Sequence, residues 1–434
     1  MARTFTKEKI FVGIGSLFIA LGIFLNEWIV TALLSPDGSL EVSTKSAIWF
    51  FDILMILLGL LAIGYGKGIL FSSHAVIKST LIIFSTIIAL ISAELLLRIF
   101  GYEPWRIEQV NINVEPGGKF FAKHPTLGYT HLPGKYNVIL PKSYSLMVTR
   151  FYSPLIDTES LPPSYSFGVT HLSNTLRVTR PLETYNLSDS RDEILVFGCS
   201  VTHGWSLNDD ETYPWLLQES LPCYKIVNFG VTGYGTLHSL IQFQEALLKR
   251  KKPKAVIIAY GFFHDRRNTF LRLRRKGLVP LNKLGPLVQP YARVNKRGEL
   301  MWSMATAQFH EFPLMRYSAL IHLIEKAYNR IEERFYHSHE VSKAIIKRFS
   351  ELCKKNGINL IIAGIDSNPI TYDMLEYTRG EGILTTDISV DMNLPDNLNL
   401  PYDNHPSALA NKKYAQKLKA FLLATVANTR TQED

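Results

Sequence analysis

Three long apolar runs open the chain. They cover residues 10–33, 47–66 and 76–97 and contain few charged side chains. Each run has close to the ~20 residues that a helix needs to cross a bilayer, and a backbone in lipid must satisfy its own hydrogen bonds, which favours helices. The first run is long for a cleaved signal peptide and lacks a small-residue cleavage site. The pattern therefore predicts a three-span membrane anchor over residues 1–100.

Charges beside the runs indicate their orientation. The loop after the first run is mildly acidic, through Asp37 and Glu41, and carries the single basic residue Lys45. The basic residues before the first run and in the second loop are Arg3, Lys7, Lys9, Lys67 and Lys78. Lys and Arg favour the cytoplasmic side, so we expect a multi-pass protein of the cytoplasmic membrane. Three spans would then place the chain after residue 100 in the periplasm or outside the cell.

Four charged residues lie within or at the ends of the runs, where charge is costly: Glu27, Asp52, Glu94 and Arg98. We hypothesise that they form a polar cluster that joins the spans or docks the following domain. The alternative is that each side chain separately reaches the membrane interface.

The pattern changes after residue 100. Residues 101–185 are rich in proline, glycine and aromatic residues and are interpreted as an extended lead-in segment with short strands. Short apolar strands then alternate with amphipathic helices over residues 186–434. The predicted strands are 194–197, 226–229, 255–260, 358–363 and 383–388, and the predicted helices are 211–219, 236–250, 316–334, 339–355 and 407–427. This alternation predicts an α/β fold whose parallel sheet is covered on both faces.

Residues 266–310 are interpreted as an insertion in this domain, with a basic stretch followed by a hairpin turn at 295–298. The net charge of +9 suits a membrane surface or an anionic glycan, and the expected location argues against nucleic acid. The three cysteines, Cys199, Cys223 and Cys353, form neither a disulfide framework nor a zinc motif.

Candidate chemistry lies where predicted strands end, which is where open α/β sheets place their sites. The first motif is FGCSVTHG (residues 197–204), whose Ser200 can present its hydroxyl at a strand-to-helix turn. Such a turn also offers free N–H groups to an oxyanion. Taken alone, a Gly-x-Ser turn more often caps a helix, and we assign no role to the neighbouring His203.

Three further motifs follow in order. NFGVTGYG (228–235) has the glycine order G-x-x-G-x-G, which is not the dinucleotide-binding order. YGFFHD (260–265) contains His264. YDNHPS (402–407) places Asp403 two residues before His405. A serine needs a base to accept its proton, and a histidine oriented by a carboxylate is the usual solution.

Together the four motifs resemble those of the SGNH/GDSL hydrolases, over about residues 190–427. The first motif, with Trp205 and NDDETYP (208–214), is similar to membrane-anchored bacterial members. The resemblance implies a three-layer α/β/α sandwich without metal or cofactor. It implies Ser200 as nucleophile, His405 as general base and Asp403 as the acid that orients it. It also implies an oxyanion hole formed by the N–H groups of Ser200 and Gly233.

The third motif differs from that of the family, in which the sequence is Gly-x-Asn-Asp and the Asn is an oxyanion donor. Here His264 precedes Asp265. An imidazole N–H can donate in place of the amide, so His264 is a candidate third donor; the alternative is a structural histidine.

The leading functional prediction is an extracytoplasmic serine esterase or deacylase acting on an acylated sugar or on an envelope lipid or glycan. One alternative is an O-acyltransferase that modifies a cell-envelope glycan and needs a membrane acyl-donor partner. Another is a non-catalytic binding module with the same fold.

Overall fold

The computed structural model describes residues 7–34, 42–68, 74–107, 111–149, 159, 161–185, 189–279 and 282–427. Its internal contacts divide the chain into two compact units. The first comprises Met1–Ile107 and His310–Arg330, and the second comprises Glu108–Phe309 and Ile331–Asp434.

The first unit begins with four helices, α1 (Lys7–Phe24), α2 (Glu27–Leu34), α3 (Val42–Gly66) and α4 (His74–Ile99). Helices α1 and α3 pack closely because glycines face each other. A Cβ on Gly15 would lie 2.5 Å from the carbonyl oxygen of Gly59, so a larger residue would push the backbones apart.

The run over residues 10–33, which was predicted as one span, forms two helices rather than one. The Asn26 side chain accepts hydrogen bonds from the N–H groups of Trp28 and Ile29 and so starts a new helix. Within the described residues, two helical stretches are long and apolar enough to cross a membrane, Thr44–Gly66 and Leu81–Ile99. This length and composition are weak evidence for membrane association.

Three of the four charged residues of the hypothesis lie in two separate groups, and Asp52 Oδ1 is buried without a hydrogen-bond partner in the described part of the chain. Glu27 pairs with Lys45 at 2.7 Å. Glu94 pairs with Arg98 at 2.7 Å and accepts hydrogen bonds from the N–H groups of residues 319 and 320. Glu94 thereby caps a later helix, α11 (Ala319–Phe335), whose unpaired N–H groups favour a negative charge. The acidic loop residues Asp37 and Glu41 lie outside the described residues.

The second unit begins with the lead-in segment, which forms small antiparallel sheets and one short helix. Strand β4 (Gly134–Pro141) pairs with β1 (Asn113–Glu115) on one side and with β5 (Ser164–His171) on the other. Strand β2 (Phe121–His124) pairs with β3 (Gly128–His131). Helix α5 (Lys142–Thr149) follows β4 directly and brings Tyr144 into the same apolar core as Trp205.

A five-stranded parallel sheet forms the centre of this unit, and the α/β fold class is confirmed. Its order is β7-β6-β8-β11-β12, so the chain leaves β6 first to one side and then to the other. The strands are β6 (Glu193–Phe197), β7 (Lys225–Asn228), β8 (Ala255–Tyr260), β11 (Asn359–Gly364) and β12 (Leu384–Asp387). The reversal beside β6 is the position where doubly wound sheets place a ligand.

Helices cover both faces of this sheet because its strands carry apolar side chains on both faces. One face packs on α8 (Thr236–Lys249) and α12 (Ser338–Lys355), with Phe197 and Ile258 in its core. The other packs on α7 (Tyr213–Ser220) and α14 (Ala408–Leu422), with Val196 and Ile257 in its core. This is the expected three-layer sandwich.

The remaining elements connect strands or lie in the predicted insertion. They are α6 (Ser200–His203), α9 (His264–Thr269), α10 (Arg272–Leu278), the paired strands β9 (Val288–Val294) and β10 (Leu300–Thr306), and α13 (Pro369–Gly380). The turn expected at 295–298 joins β9 to β10, since Asn295 and Glu299 close it by a backbone hydrogen bond.

Candidate active site

Ser200 lies directly beyond the carboxyl end of β6, at the first position of the one-turn helix α6. Two glycines make this tight turn possible. A Cβ at Gly198 would clash with the Thr202 side chain, and Gly204 ends the helix with φ +83°, a conformation that glycine adopts without strain. The serine is mostly buried, at 5% exposure.

The loop before α14 brings His405 to this serine. The distance from His405 Nε2 to Ser200 Oγ is 2.9 Å. The other ring nitrogen, Nδ1, lies 2.5 Å from Asp403 Oδ1, and the same oxygen accepts the backbone N–H of His405 at 2.7 Å. Because a carboxylate only accepts, Nδ1 carries a proton and Nε2 is left free to accept the serine proton.

Asp403 is fully buried, and its second oxygen has two donors of its own. Tyr144 donates its hydroxyl to Oδ2 at 2.6 Å, and Trp205 donates its indole N–H to the same atom at 3.2 Å. Burial alone would raise the pKa of Asp403. Attraction to His405 and the donated hydrogen bonds outweigh burial and hold this pKa below its ordinary value. The carboxylate is therefore negative at neutral pH.

Gly233 lies in the loop after β7 with φ +84°. A Cβ there would clash with the Tyr129 hydroxyl, so the position needs glycine for both space and conformation. Arg274 donates to the carbonyl of Gly233 at 2.7 Å, and Arg267 donates to the carbonyl of Tyr234 at 2.9 Å. These two arginines, which belong to the basic stretch of the predicted insertion, fix the loop.

The N–H groups of Ser200 and Gly233 donate to no acceptor among the described residues. Unpaired N–H groups close to a nucleophile can stabilise a developing negative charge on a substrate oxygen. Ser200 thus offers one such donor beside its own hydroxyl, and Gly233 is the second donor that the family resemblance implies.

His264 is fully buried at the start of α9, and its Nδ1 lies 3.2 Å from Thr236 Oγ1. Burial, and then the charges of Arg267 and His238, lower its pKa far below the ordinary value, so the ring is neutral. Its Nε2 is buried without a partner in the described part of the chain. No hydrogen bond among the described residues joins His264 to Ser200, Gly233 or His405.

Sequence reasoning missed Tyr144, which comes from the lead-in segment and carries no motif of its own. It also gave Trp205 no role beyond the family likeness. The only available signal for Trp205 was its place just after the first motif, while Tyr144 is 259 residues from its partner in the chain.

No protein-family model matches the chain, and no curated protein matches it. Solved structures do match. A carbohydrate acetylesterase family member from Sinorhizobium meliloti is 10% identical, with a TM-score of 0.32, over 54% of this chain and 99% of that one. A member of the lipolytic protein G-D-S-L family from Veillonella parvula DSM 2008 is 12% identical, with a TM-score of 0.29, over 54% and 97%. TesA is 13% identical, with a TM-score of 0.32, over 53% and 98%.

Two of these three structures are described as a carbohydrate acetylesterase family member and a lipolytic G-D-S-L protein. At identities and TM-scores this low they carry no inference about activity, which depends on the geometry of Ser200, His405 and Asp403.

Proposed function

We propose that this chain is a serine esterase of the SGNH/GDSL type, which removes an acyl group from an acylated sugar or from an envelope lipid or glycan. The observation that carries the proposal is the continuous hydrogen-bonded chain from Ser200 Oγ to His405 Nε2, and from His405 Nδ1 to Asp403. In this proposal Ser200 is the nucleophile, His405 the general base and Asp403 the acid that orients it.

In the first half of the reaction, His405 Nε2 takes the proton of Ser200 Oγ as that oxygen bonds to the ester carbonyl carbon. The carbonyl π electrons move onto oxygen, where the N–H groups of Ser200 and Gly233 stabilise the negative charge. When the intermediate collapses, the bond to the alcohol oxygen breaks, and the alcohol leaves with the proton from His405. The acyl group is then esterified to Ser200.

In the second half, His405 takes a proton from water as the water oxygen attacks the acyl carbon. Collapse returns the proton to Ser200 Oγ and releases the acid. The His405 side chain is 26% exposed, so solvent reaches part of the ring. Transfer to a glycan hydroxyl is the alternative, and it would need an acyl-donor partner in the membrane. The assembled triad opposes a purely binding role.

The test is ester hydrolysis by the full-length chain in detergent, with p-nitrophenyl acetate and with acetylated sugar oligomers as substrates. We expect Ser200→Ala and His405→Ala each to lower kcat by about 10⁴-fold or more. Ser220→Ala is the matched control, because its hydroxyl donates to the Leu217 carbonyl within its own helix α7. Turnover that persists in Ser200→Ala would exclude the proposed mechanism, and release of acetate from the sugar would support the substrate class.

We also propose that the second unit faces the outside of the cytoplasmic membrane. Two crossing helices alone would return the chain to the side of its N-terminus, so this location requires residues 7–34 to cross as well. Cys223 provides a natural probe, since it is exposed while Cys199 and Cys353 are buried. A membrane-impermeant maleimide should label intact cells, and Cys223→Ser should abolish the label. Labelling only after lysis would place the unit inside.

A further inference from the structure

Three histidines meet in the core of the second unit, close to Ser200 but outside its hydrogen-bonded chain. His131 ends β3, His171 ends β5 and His203 is the last residue of α6. Their exposures are 1%, 3% and 0%. One ring nitrogen from each lies within 4.8 Å of those of the other two. Because the three come from separate elements, no spacing in the sequence marks them.

The hydrogen bonds of this histidine cluster leave three buried ring nitrogens without a partner among the described residues. His171 Nδ1 lies 3.0 Å from the carbonyl oxygen of Leu132, which can only accept, so Nδ1 carries the proton of the ring. The Nε2 lone pair of His171 therefore accepts the Nε2–H of His203, 3.0 Å away, which leaves His203 Nδ1 buried without a partner among the described residues. Both nitrogens of His131 are buried without a hydrogen-bond partner in the described part of the chain.

Buried polar atoms without partners are costly, at about 1–3 kcal/mol each, and their concentration in one place calls for a ligand. Neutral imidazole is the form that binds metal ions.

We propose that His131, His171 and His203 bind a zinc ion. Imidazole nitrogens suit zinc among the divalent metals. The bond from His171 Nδ1 to the Leu132 carbonyl is the kind of outer contact that orients a ligating histidine and fixes its tautomer. Zinc binding requires the rings to turn, because the His131 ring lies parallel to that of His171 at a centroid distance of 4.4 Å, and the Nε2 atoms of His171 and His203 share one proton. In the bound state each ring would direct one lone pair at the ion and carry its proton on the other nitrogen.

The neighbouring positive charge of Arg177 does not prevent binding, because it is already paired. Its Nε lies 3.0 Å from Asp209 Oδ1. Its other N–H groups donate to the carbonyls of His203, Gly204, Leu207 and Gly168, so they are engaged by acceptors other than the nitrogens of the cluster.

The zinc ion would have a structural role. It joins two strands of the lead-in segment to the single turn of helix that begins with Ser200, three residues before His203. It takes part in no step of ester chemistry, and the proposal is independent of the proposed function.

The test measures metal content in full-length protein, purified in detergent without a histidine tag. We expect close to one equivalent of zinc per chain, and a fall to background in His171→Gln and His203→Gln. His238→Gln is the matched control, since His238 is equally buried but its Nε2 lies beside Gln289. It should keep its zinc, and so should Ser200→Ala, which separates this proposal from the esterase proposal.

A second measurement covers variants that fail to fold. A strong chelator should lower the Tm of the wild-type protein, zinc should restore it, and cobalt(II) in place of zinc should give visible absorption bands typical of nitrogen coordination. The proposal would be overturned if the wild-type protein stays metal-free after exposure to zinc, or if the chelator leaves its Tm unchanged. So would full zinc content in His171→Gln.

Discussion

Replacing Tyr144 by phenylalanine removes one hydroxyl from the buried end of the catalytic hydrogen-bond chain and leaves the ring in place. That hydroxyl donates to Asp403 Oδ2 at 2.6 Å. The indole N–H of Trp205 stays within 3.2 Å of the same oxygen, so Asp403 is left with a weaker set of donors rather than with none. The ring of Tyr144 fills the core formed by the lead-in strands, and phenylalanine preserves that packing.

A hydrogen bond to a charged group contributes about 1.5–3 kcal/mol. If all of it stabilises the carboxylate opposite the positive imidazole of the transition state, kcat falls by about 10- to 150-fold. The variant should also shift the acid side of the pH profile. Burial raises the pKa of Asp403, and the hydrogen bond from Tyr144 is one of the interactions that lower it. Removing the Tyr144 hydroxyl therefore raises this pKa. The negative carboxylate is present above the pKa of Asp403 in the folded protein and is protonated as the pH falls through that pKa. As the pH is lowered, the activity of Tyr144→Phe should therefore decline at a higher pH than that of the wild type.

The assay is kcat against pH for ester hydrolysis, with Tm measured in parallel. Tyr136→Phe is the matched control, because Tyr136 lies in the same core and its hydroxyl bonds to the backbone carbonyl of Pro133. Equal kcat values and equal pH profiles in the two variants would refute the role assigned to Tyr144.

Three further variants test other parts of the chain. Gly233→Ala should lower kcat by about 10- to 10³-fold, because its Cβ would meet the Tyr129 hydroxyl and displace an oxyanion donor. Gly298→Ala is the control, because Gly298 has a similar φ of +77° but open space around it. Equal kcat values in the two variants would count against the donor role of Gly233. Glu94→Gln should lower the unfolding free energy by about 1 kcal/mol, because the N-terminus of α11 loses its negatively charged cap. A thermal unfolding curve in detergent equal to that of the wild type would contradict this. His264→Gln should reduce kcat by about 10²-fold if its N–H reaches the oxyanion, and an unchanged kcat would reject that role.

Much of the second unit follows from the alternation of apolar segments, because a strand buried on both faces must be continuously apolar. The expected strand at 255–260 coincides with β8, and the expected helix at 236–250 differs from α8 by one residue. Helix α13 was missed, although Asn368 caps it and Pro369 begins it. In the first unit the apolar run concealed a helix boundary, because the side chain of Asn26, rather than hydropathy, determines where α2 begins.

The residues of the candidate site were predictable to the extent that each follows a strand or precedes a helix. Ser200 and Gly233 lie at strand ends, and Asp403 and His405 share one loop. Tyr144 was not predictable, because its contact with Asp403 depends on how the small lead-in sheet packs. Arg274 was misjudged for a related reason: in sequence it is one of a basic run, and only the fold turns it toward the carbonyl of Gly233.

The bond between Tyr144 and Asp403 also affects how the protein can be shortened. The region that carries the four motifs begins near residue 190 and would be the natural choice for a minimal expressible fragment. Such a fragment would contain Ser200, His405 and Asp403, yet the aspartate would lose its shortest donor on Oδ2 and the apolar cover that keeps it from water. An inactive fragment of this kind would therefore say nothing against the triad. Deletion series, homologue chimeras and protease-trimmed samples need a boundary before residue 111 to retain a complete active site.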